Sequence, residues 1–185
     1  MNRLIDCITH KKSSGIPVWF MRQAGRYLPE FQEIRKKNPN FIKLCLNSNL
    51  VPEITLQPIR RFKLIDAAII FSDILMLPYG LGQKVEFKKN FGPNLGDLNI
   101  NKLKGISEED FSNSLNAVYK SIHITSKNEL MKNRDMIGFV GAPWTILVYM
   151  MNKMSPKKKL SDKSFNDDFL VNKLLGIIEK FIKIF

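Results

Sequence analysis

The chain has 185 residues, of which 44% are hydrophobic and 10% aromatic, so it can fill the core of one domain and is not a disordered protein. Its formal net charge of +12 would attract acidic partners such as nucleic acid, an anionic membrane or a polycarboxylate. The lysines form only short pairs and triplets without a nucleic-acid motif, which predicts solvated faces and no nucleic-acid partner.

Targeting segments and metal-binding patterns are missing from the sequence. No apolar run approaches the ~18 residues that a membrane span requires, and there is no signal-peptide core, so we expect a cytoplasmic chain without a membrane span. The two cysteines, Cys7 and Cys45, lie far apart, without C-x-x-C or paired-histidine spacing. This predicts neither a disulfide framework nor a metal site.

The first part of the chain predicts a helix, a strand, a basic loop and a second helix. A short opening helix is expected over Asn2–Thr9, and the apolar run Val18–Met21 suits a buried strand. After the basic loop, Pro29 suits the first turn of a helix because proline has no N–H to leave unpaired there. We expect an interruption near Asn38-Pro39, since a residue before proline resists the helical conformation.

The middle of the chain predicts one more helix and a strand buried on both faces. Asn49 can cap the helix, and Pro58 should kink it. The continuous apolar run Ala67–Phe71 fits a strand of a parallel sheet covered by helices. Val85–Phe87 suggests a short added strand, and the segment 91–96 predicts a turn region.

The last part of the chain predicts a third strand between helices. Ser107 begins a capping-box pattern, and Ser164 can cap the final helix. Residues 152–163 are expected to form a mobile loop rich in lysine and serine. The expected elements are a helix from Ser107 through Ile122, a strand over Ile137–Val140, a helix through Met151 and a helix from Phe165 to about Ile182.

Alternating strands and helices at this spacing predict the α/β class with parallel strands. Three strands cannot close a barrel. In a parallel α/β barrel, ligand-binding groups project from the carboxyl ends of the strands. Arg22, Asp73 and the turn 141–143 follow the three predicted strands at that end.

Arginines around the first predicted strand end form a possible anion site. Arg22 and Arg26, with Arg35 further on, could present fork-shaped donors to carboxylates or phosphates in two-point contacts. On spacing alone, plain surface arginines remain an alternative interpretation.

Three stretches resemble the uroporphyrinogen decarboxylase family: Met21–Glu30 (MRQAGRYLPE), Leu56–Leu75 and Ile137–Tyr149. The resemblance runs colinearly from the first helix to about Leu175. It implies a partial (β/α)8 TIM barrel, formed by the first three parallel strands with their helices. Because the family is close to twice this length, residues 1–185 are expected to be its amino-terminal half, with the carboxyl-terminal half absent.

The resemblance also implies roles for particular residues. Asp73 matches the family's essential aspartate, whose carboxylate would stabilise a cationic pyrrole; by itself, the sequence also allows a helix N-cap here. Arg22 matches a candidate proton donor, and Tyr149 a phenol beside the reacting side chain. The substrate-binding residues implied are Arg22, Gln23, Ala24, Gly25, Arg26, Arg35, Asp73 and Tyr149.

The implied activity is cofactor-independent decarboxylation of the four acetate side chains of uroporphyrinogen III to coproporphyrinogen III, in haem biosynthesis. No metal is implied, and full-length members are expected to be homodimers. The 185-residue chain is expected to be inactive or nearly so by itself. Two alternatives remain: a fragment of a cobalamin-dependent methyltransferase of the same superfamily, and a non-enzymatic basic binding module.

Overall fold

The computed structural model describes residues 3–11, 15–21, 27–88, 91–155 and 163–185. The chain forms two compact units, one of residues 1–72 with 117–139 and one of residues 73–116 with 140–185. No helix within the described ranges is long and apolar enough to cross a lipid bilayer. Among the same residues, no three His, Cys, Asp or Glu side chains are grouped as metal ligands.

The first unit contains a two-stranded parallel sheet, which confirms the predicted α/β character. β1 (Ala67–Ile69) pairs with β4 (Asp135–Ile137), with Ala67 opposite Asp135. The N–H of Ile70 donates to the carbonyl of Ile137 at 3.0 Å, which extends the pairing by one hydrogen bond. The helices of this unit are α1 (Arg3–His10), α2 (Pro29–Lys37), α3 (Phe41–Cys45), α4 (Leu50–Arg61) and α8 (Asn116–Ser126).

Two apolar clusters form the core of the first unit. One joins α4 to the two strands and comprises Leu56, Ile59, Ile65, Ala68 and Met131. The other joins α2, α3 and α4 and comprises Leu28, Phe31, Leu44 and Ile54. The rings of Phe31 and Phe71 lie 5.7 Å apart in the second cluster. These contacts hold the start of α2 against the segment that follows β1.

Two aspartates tie the amino-terminal segment to this sheet. Oδ2 of Asp135, a residue only 2% exposed, accepts hydrogen bonds from the N–H groups of Leu4 and Ile5 at 3.1 Å each. These N–H groups lie in the first turn of α1 and have no partner within the helix, so Asp135 caps it from another element. Asp66 accepts from the N–H of Val18 at 2.8 Å, and its own N–H donates to the Val18 carbonyl at 2.8 Å.

The second unit combines a β-hairpin with helices. β2 (Val85–Lys88) and β3 (Gly92–Leu95) are antiparallel, with Val85 opposite Leu95. Its helices are α5 (Met76–Gly80), α6 (Ile100–Gly105), α7 (Glu108–Ser114), α9 (Pro143–Asn152) and α10 (Asp168–Ile184). Phe111 of α7 is fully buried, and its ring lies 4.7 Å from that of Phe181 of α10.

Several predicted helices are confirmed. The opening helix covers Arg3–His10, and Asn2 lies outside the described residues. The helix that starts at Pro29 ends at Lys37, and α3 resumes after Asn38-Pro39, with the Asn40 side chain accepting from the N–H of Lys43. α9 ends at Asn152, close to the predicted Met151. α4 is continuous through Pro58, and its bending stays a prediction.

The added strand predicted at Val85–Phe87 is confirmed as part of β2, whereas the other three strand predictions need correction. Val18–Met21 is not a strand: a single residue, Val18, pairs with Asp66, and Phe20 and Met21 are 58% and 69% exposed. β1 ends at Ile69 rather than at Phe71, because the N–H of Phe71 donates a hydrogen bond to the Thr55 hydroxyl at 3.0 Å instead of to a neighbouring strand. β4 ends rather than begins at Ile137, because its register is set by pairing with the short β1.

The segment 91–96, predicted as a turn, instead contains β3. Gly92 has a φ of +81°, which glycine adopts readily, and this residue begins the return strand. Pro93 lies opposite Phe87 within the ladder. Proline is tolerated at an edge strand, so the Gly-Pro pair did not exclude a strand.

Three helix boundaries also differ from the predictions. The helix expected from Ser107 through Ile122 is broken at Leu115, where the Ser114 hydroxyl bonds to the Phe111 carbonyl at 2.7 Å. The capping of α4 also differs in part: Asn49 is at the predicted N-cap position, but its side chain makes no capping hydrogen bond, and Oδ1 of Asn47 accepts from the N–H of Leu50 at 3.0 Å instead.

The final helix begins later than predicted. The N–H of Leu170 donates to Oδ1 of Asp167 at 3.0 Å, so Asp167 rather than Ser164 caps α10. A 3-10 turn covers Lys163–Asn166, where the sequence predicted the start of this helix. Of the loop predicted over 152–163, residues 156–162 lie outside the described residues.

Candidate active site

Asp73 lies four residues beyond the end of β1 along the chain, in a turn that leads into α5. Its Oδ1 accepts the N–H of Leu75 at 2.8 Å, and its carbonyl accepts the N–H of Met76 at 3.1 Å. This local bonding holds the carboxylate in one orientation. α5 begins at Met76 with Leu75 at its N-cap, so the alternative interpretation of Asp73 as a helix N-cap is wrong.

The surroundings of Asp73 make its carboxyl group a weaker acid than an exposed aspartate. Burial raises the pKa of the Asp73 carboxyl, and the hydrogen bond from the Leu75 N–H opposes this only in part. Within the described residues, no lysine, arginine or histidine forms an ion pair with it. A partly buried carboxylate without an ion-pair partner is suited to accept hydrogen bonds from N–H donors of a ligand. Such bonds to the anion offset the hydration that it loses on burial.

The turn before α9 lies against the residue that follows Asp73 in sequence. A Cβ on Gly141 would come within 2.5 Å of Ile146 Cδ1 and 3.2 Å of Ile74 Cβ. Glycine therefore lets this turn lie close to Ile74 without displacing the side chains of Ile74 and Ile146. Of the three turns that the sequence placed at strand ends, the structure brings these two, around Asp73 and around Gly141, together within the second unit.

Tyr149 also belongs to the second unit, on α9. Its side chain is half-buried, and its hydroxyl donates to the Ser155 hydroxyl at 3.3 Å. α9 begins at Pro143 directly after the turn at Gly141, so Tyr149 lies between one and two helical turns from that turn. The phenol has an apolar body and a polar tip that is already hydrogen-bonded.

Arg35 lies near the end of α2 in the first unit. Its Nη1 donates to the Asn38 carbonyl, and its guanidinium lies 5.6 Å from the centroid of the Phe41 ring. A cation near the carboxyl end of a helix complements the helix dipole. These contacts give Arg35 a structural role at the junction of α2 and α3, and its predicted contact with a substrate carboxylate stays a prediction.

Arg22, Gln23, Ala24, Gly25 and Arg26 lie outside the described residues. Before this segment, Val18 is joined to Asp66; after it, Leu28 is 1% exposed in the core of the first unit. The predicted roles of these five residues therefore rest on the sequence.

A paired contact that the sequence analysis missed holds the start of α2. Nε and Nη2 of Arg61 donate to the two carboxylate oxygens of Glu30 at 3.1 and 2.9 Å. The Arg61 hydrogen bond lowers the pKa of Glu30. Nothing local in the sequence indicates that Glu30 has a partner 31 positions away.

The parallel strands with intervening helices, together with a half-buried carboxylate after β1, define a chain of the α/β class with a candidate ligand site. The family model for uroporphyrinogen decarboxylase matches residues 1–185. The chain belongs to the uroporphyrinogen decarboxylase family.

Curated relatives agree with this assignment. The chain is similar to the uroporphyrinogen decarboxylase of Rickettsia canadensis, with 47% identity over 83% of this chain and 44% of that protein. The Rickettsia felis protein of the same name is 43% identical over 91% of this chain and 49% of its own length. The one from Orientia tsutsugamushi is 40% identical over 97% and 52%, respectively. The chain therefore spans about half the length of the curated relatives that it matches.

Proposed function

We propose that this chain supplies the amino-terminal part of a TIM-barrel decarboxylase that converts uroporphyrinogen III to coproporphyrinogen III without a cofactor. The family match across all 185 residues carries the proposal. The half-buried carboxylate of Asp73, unpaired with any cation in the described part of the chain, supports it. The methyltransferase and basic-module alternatives gain no support from the named relatives.

Asp73 would act through its charge. Its carboxylate would accept hydrogen bonds from the inward-pointing N–H groups of a cyclic tetrapyrrole, in addition to the bond from the Leu75 N–H. When a pyrrole carbon of the substrate is protonated, the positive charge spreads to the ring nitrogen. A carboxylate fixed beside that nitrogen lowers the free energy of the cationic intermediate.

The ring then serves as the electron sink. The bond between the acetate methylene and its carboxylate breaks, CO2 leaves, and the electron pair enters the protonated ring to neutralise it. A proton added at the methylene and one lost from the ring complete the exchange, so each acetate becomes a methyl group at the cost of one proton. This redistribution needs no external electron acceptor, which is why no cofactor is proposed.

The remaining site residues would hold the substrate. Arg22 and Arg26 bind acetate and propionate carboxylates in two-point contacts, and Arg22 is the candidate proton donor. Gln23, Ala24 and Gly25 would line the same loop, and Gly25 would permit close backbone approach. Arg35 would contact a further carboxylate, and Tyr149 would lie beside the reacting side chain.

The proposed activity requires more than these 185 residues. The relatives are about twice as long, and the residues that complete their substrate pocket are expected in the part that this chain does not match. By itself the chain is therefore expected to have little or no decarboxylase activity. The complete enzyme is proposed to act as a cytoplasmic homodimer.

Complementation tests this proposal. The 185-residue chain is incubated anaerobically with uroporphyrinogen III, alone and with a polypeptide that corresponds to the unmatched half of the Rickettsia felis relative. Coproporphyrin is measured by chromatography with fluorescence detection after oxidation. We expect product only in the mixture, and Asp73→Asn should lower its rate about 100-fold or more, the usual scale for a group that stabilises transition-state charge.

Each result has a distinct meaning. Glu33→Gln, which removes one exposed carboxylate of α2, should leave the rate in the mixture unchanged. Product from the 185-residue chain alone would overturn the dependence on the second half. An Asp73→Asn mixture as active as the parent would overturn the role of Asp73, and a folded mixture that makes no product would overturn the proposed activity.

A further inference from the structure

A cleft of about 250 Å3 lies between α6 and α10 in the second unit, and none of the predicted active-site residues lines it. Its walls combine apolar side chains with lysines. The lining residues are Leu103, Lys104, Ile106, Lys173, Ile177, Lys180 and Phe181. Its chemistry is therefore unrelated to the decarboxylase proposal.

Positive charge accumulates along one side of this cleft. Nζ of Lys180 lies 2.8 Å from Oε1 of Glu108, so this cation is paired. Lys104 of α6 and Lys173 of α10 both line this cleft, within reach of a hydrogen bond between their side chains. In the described ranges, no carboxylate forms an ion pair with either of them. Two adjacent ammonium groups without a counter-charge attract an anion.

The proximity of the two lysines has an electrostatic consequence. The side-chain hydrogen bond with Lys173, and then its charge, lower the pKa of Lys104. The cause is that a second proton is harder to hold beside a like charge. An anion placed between the two groups would remove this penalty, because it attracts both.

The other side of the cleft is apolar. Leu103 and Phe181 are buried in its floor, and Ile106 and Ile177 are half-buried. Lys180 Nζ lies 5.4 Å from the centroid of the Phe181 ring, so the lysine stem covers part of this floor. Water makes few favourable interactions with such an apolar surface. A short hydrocarbon chain that lies on it is removed from solvent, and this burial is favourable.

We propose that this cleft binds a small amphipathic anion, whose charged group bridges Lys104 and Lys173 and whose apolar chain lies on Ile106 and Ile177. A volume of about 250 Å3 limits the ligand to a short chain rather than a large ring system. Lysine ammonium groups act as point charges, so they bind a carboxylate or a phosphate with little restriction on the angle of approach. The apolar floor selects a ligand with a tail over a simple ion.

Nuclear magnetic resonance titration of the 15N-labelled 185-residue chain tests the proposal with octanoate as the probe. Acetate and inorganic phosphate, which carry charge without a tail, serve as comparison ligands. We expect octanoate to shift amide signals of 100–106 and 173–181. It should bind about tenfold or more tightly than either comparison ion, since each buried methylene adds to the affinity.

Matched variants identify the groups responsible. Lys104→Gln with Lys173→Gln should weaken octanoate binding about tenfold or more. Lys120→Gln in α8 with Lys127→Gln just after it removes the same charge and should change the binding less than about twofold. Ile177→Ser should weaken octanoate but leave acetate unchanged. A raised pKa of Lys104 in Lys173→Gln, followed by side-chain resonances, would verify that the two ammonium groups interact.

The contrary outcomes are equally definite. An absence of shifts in α6 and α10 would overturn the site. Equal binding of octanoate to the Lys104 and Lys173 variant and to the control variant would overturn the role of the paired lysines. Acetate or phosphate binding as tightly as octanoate would show a simple anion site and overturn the amphipathic ligand.

Discussion

The Asp73 carboxylate accepts a hydrogen bond of 2.8 Å from the backbone of Leu75, while burial raises the pKa of its carboxyl group. The charge at this position therefore costs folding free energy. Groups placed for catalysis often carry such a cost, because the site is arranged for the ligand rather than for stability.

Asp73→Asn should stabilise the chain at pH 7. The pKa of Asp73 is higher folded than unfolded, so ionisation favours the unfolded state above the ordinary value of 3.8. A tenfold change in the acid dissociation constant corresponds to about 1.4 kcal/mol, which sets the scale of the expected increase in the free energy of unfolding. Urea unfolding at pH 7 and at a pH well below 3.8 should show a gain that disappears in acid, because Asp73 is then protonated in both states.

The Asn side chain keeps an oxygen acceptor for the Leu75 N–H, so this variant changes the charge with little change in shape. Glu33→Gln, the exposed control, should shift the free energy of unfolding by less than about 0.5 kcal/mol at either pH. A destabilised Asp73→Asn at pH 7 would contradict the assignment of a burial cost to this carboxylate.

Asp135→Ala should release α1 from the sheet. It removes the acceptor of the Leu4 and Ile5 N–H groups, and the loss of a buried acceptor typically costs about 1–3 kcal/mol. Asp135→Asn retains one oxygen and should cost less. Hydrogen exchange at the amides of Leu4 and Ile5 should accelerate in the alanine variant more than at the amides of α10, and uniform acceleration would contradict a local anchoring role.

Gly80→Ala should destabilise the second unit. A Cβ there would lie 2.6 Å from Phe111 Cε2 and 2.7 Å from Leu115 Cδ1, both on fully buried side chains. Overpacking of this kind costs about 1–3 kcal/mol. Gly176→Ala in α10 is the matched control, because its Cβ meets nothing within 4 Å and alanine favours helix, so it should stabilise by up to about 1 kcal/mol. Thermal unfolding of both variants should give shifts of opposite sign.

Arg60→Gln should remove a pH-dependent contribution to stability. The Arg60 hydrogen bond is the main cause that lowers the pKa of Glu53, and the two side chains are joined at 2.6 and 2.8 Å. A lowered carboxyl pKa stabilises the fold above the ordinary value of 4.5, and this is lost as pH falls through the folded value. Because both side chains are substantially exposed, the loss at pH 7 should be at most about 1 kcal/mol and should shrink with added salt.

Lys132→Gln, a charge change on another exposed cation, provides the comparison. The difference between the parent and Arg60→Gln should vanish at pH values where Glu53 is protonated in both states. A difference that persists there would mean that the arginine stem contributes by packing rather than by charge.

The parts of the fold that depend on neighbours in sequence could be predicted. Ser107 caps α7, Pro29 starts α2 and the interruption at Asn38-Pro39 is present, because capping and proline geometry act over a few residues. The apolar run from Ala67 likewise indicated a strand in a parallel sheet.

For the site, the family resemblance singled out Asp73, and the turn before α9 was placed at the same end of the strands. The structure adds the restraint of Asp73 by Leu75 and the contact of Gly141 with Ile74. The arginine loop 22–26 lies outside the described residues, so its role stays a prediction.

The sequence by itself indicated the resemblance to the family, the cap at Ser107, the interruption at Asn38-Pro39 and most of the helices α1, α2, α4, α9 and α10. Only the tertiary structure decided that Thr55 ends β1, that Asp135 caps α1 from 130 positions away and that Glu30 pairs with Arg61. The two groups in each of these contacts are distant in sequence. Each group could also form a hydrogen bond with other donors or acceptors of the chain. Which one wins depends on the packing of the whole unit, because buried polar groups take the partner that the surrounding core brings within reach.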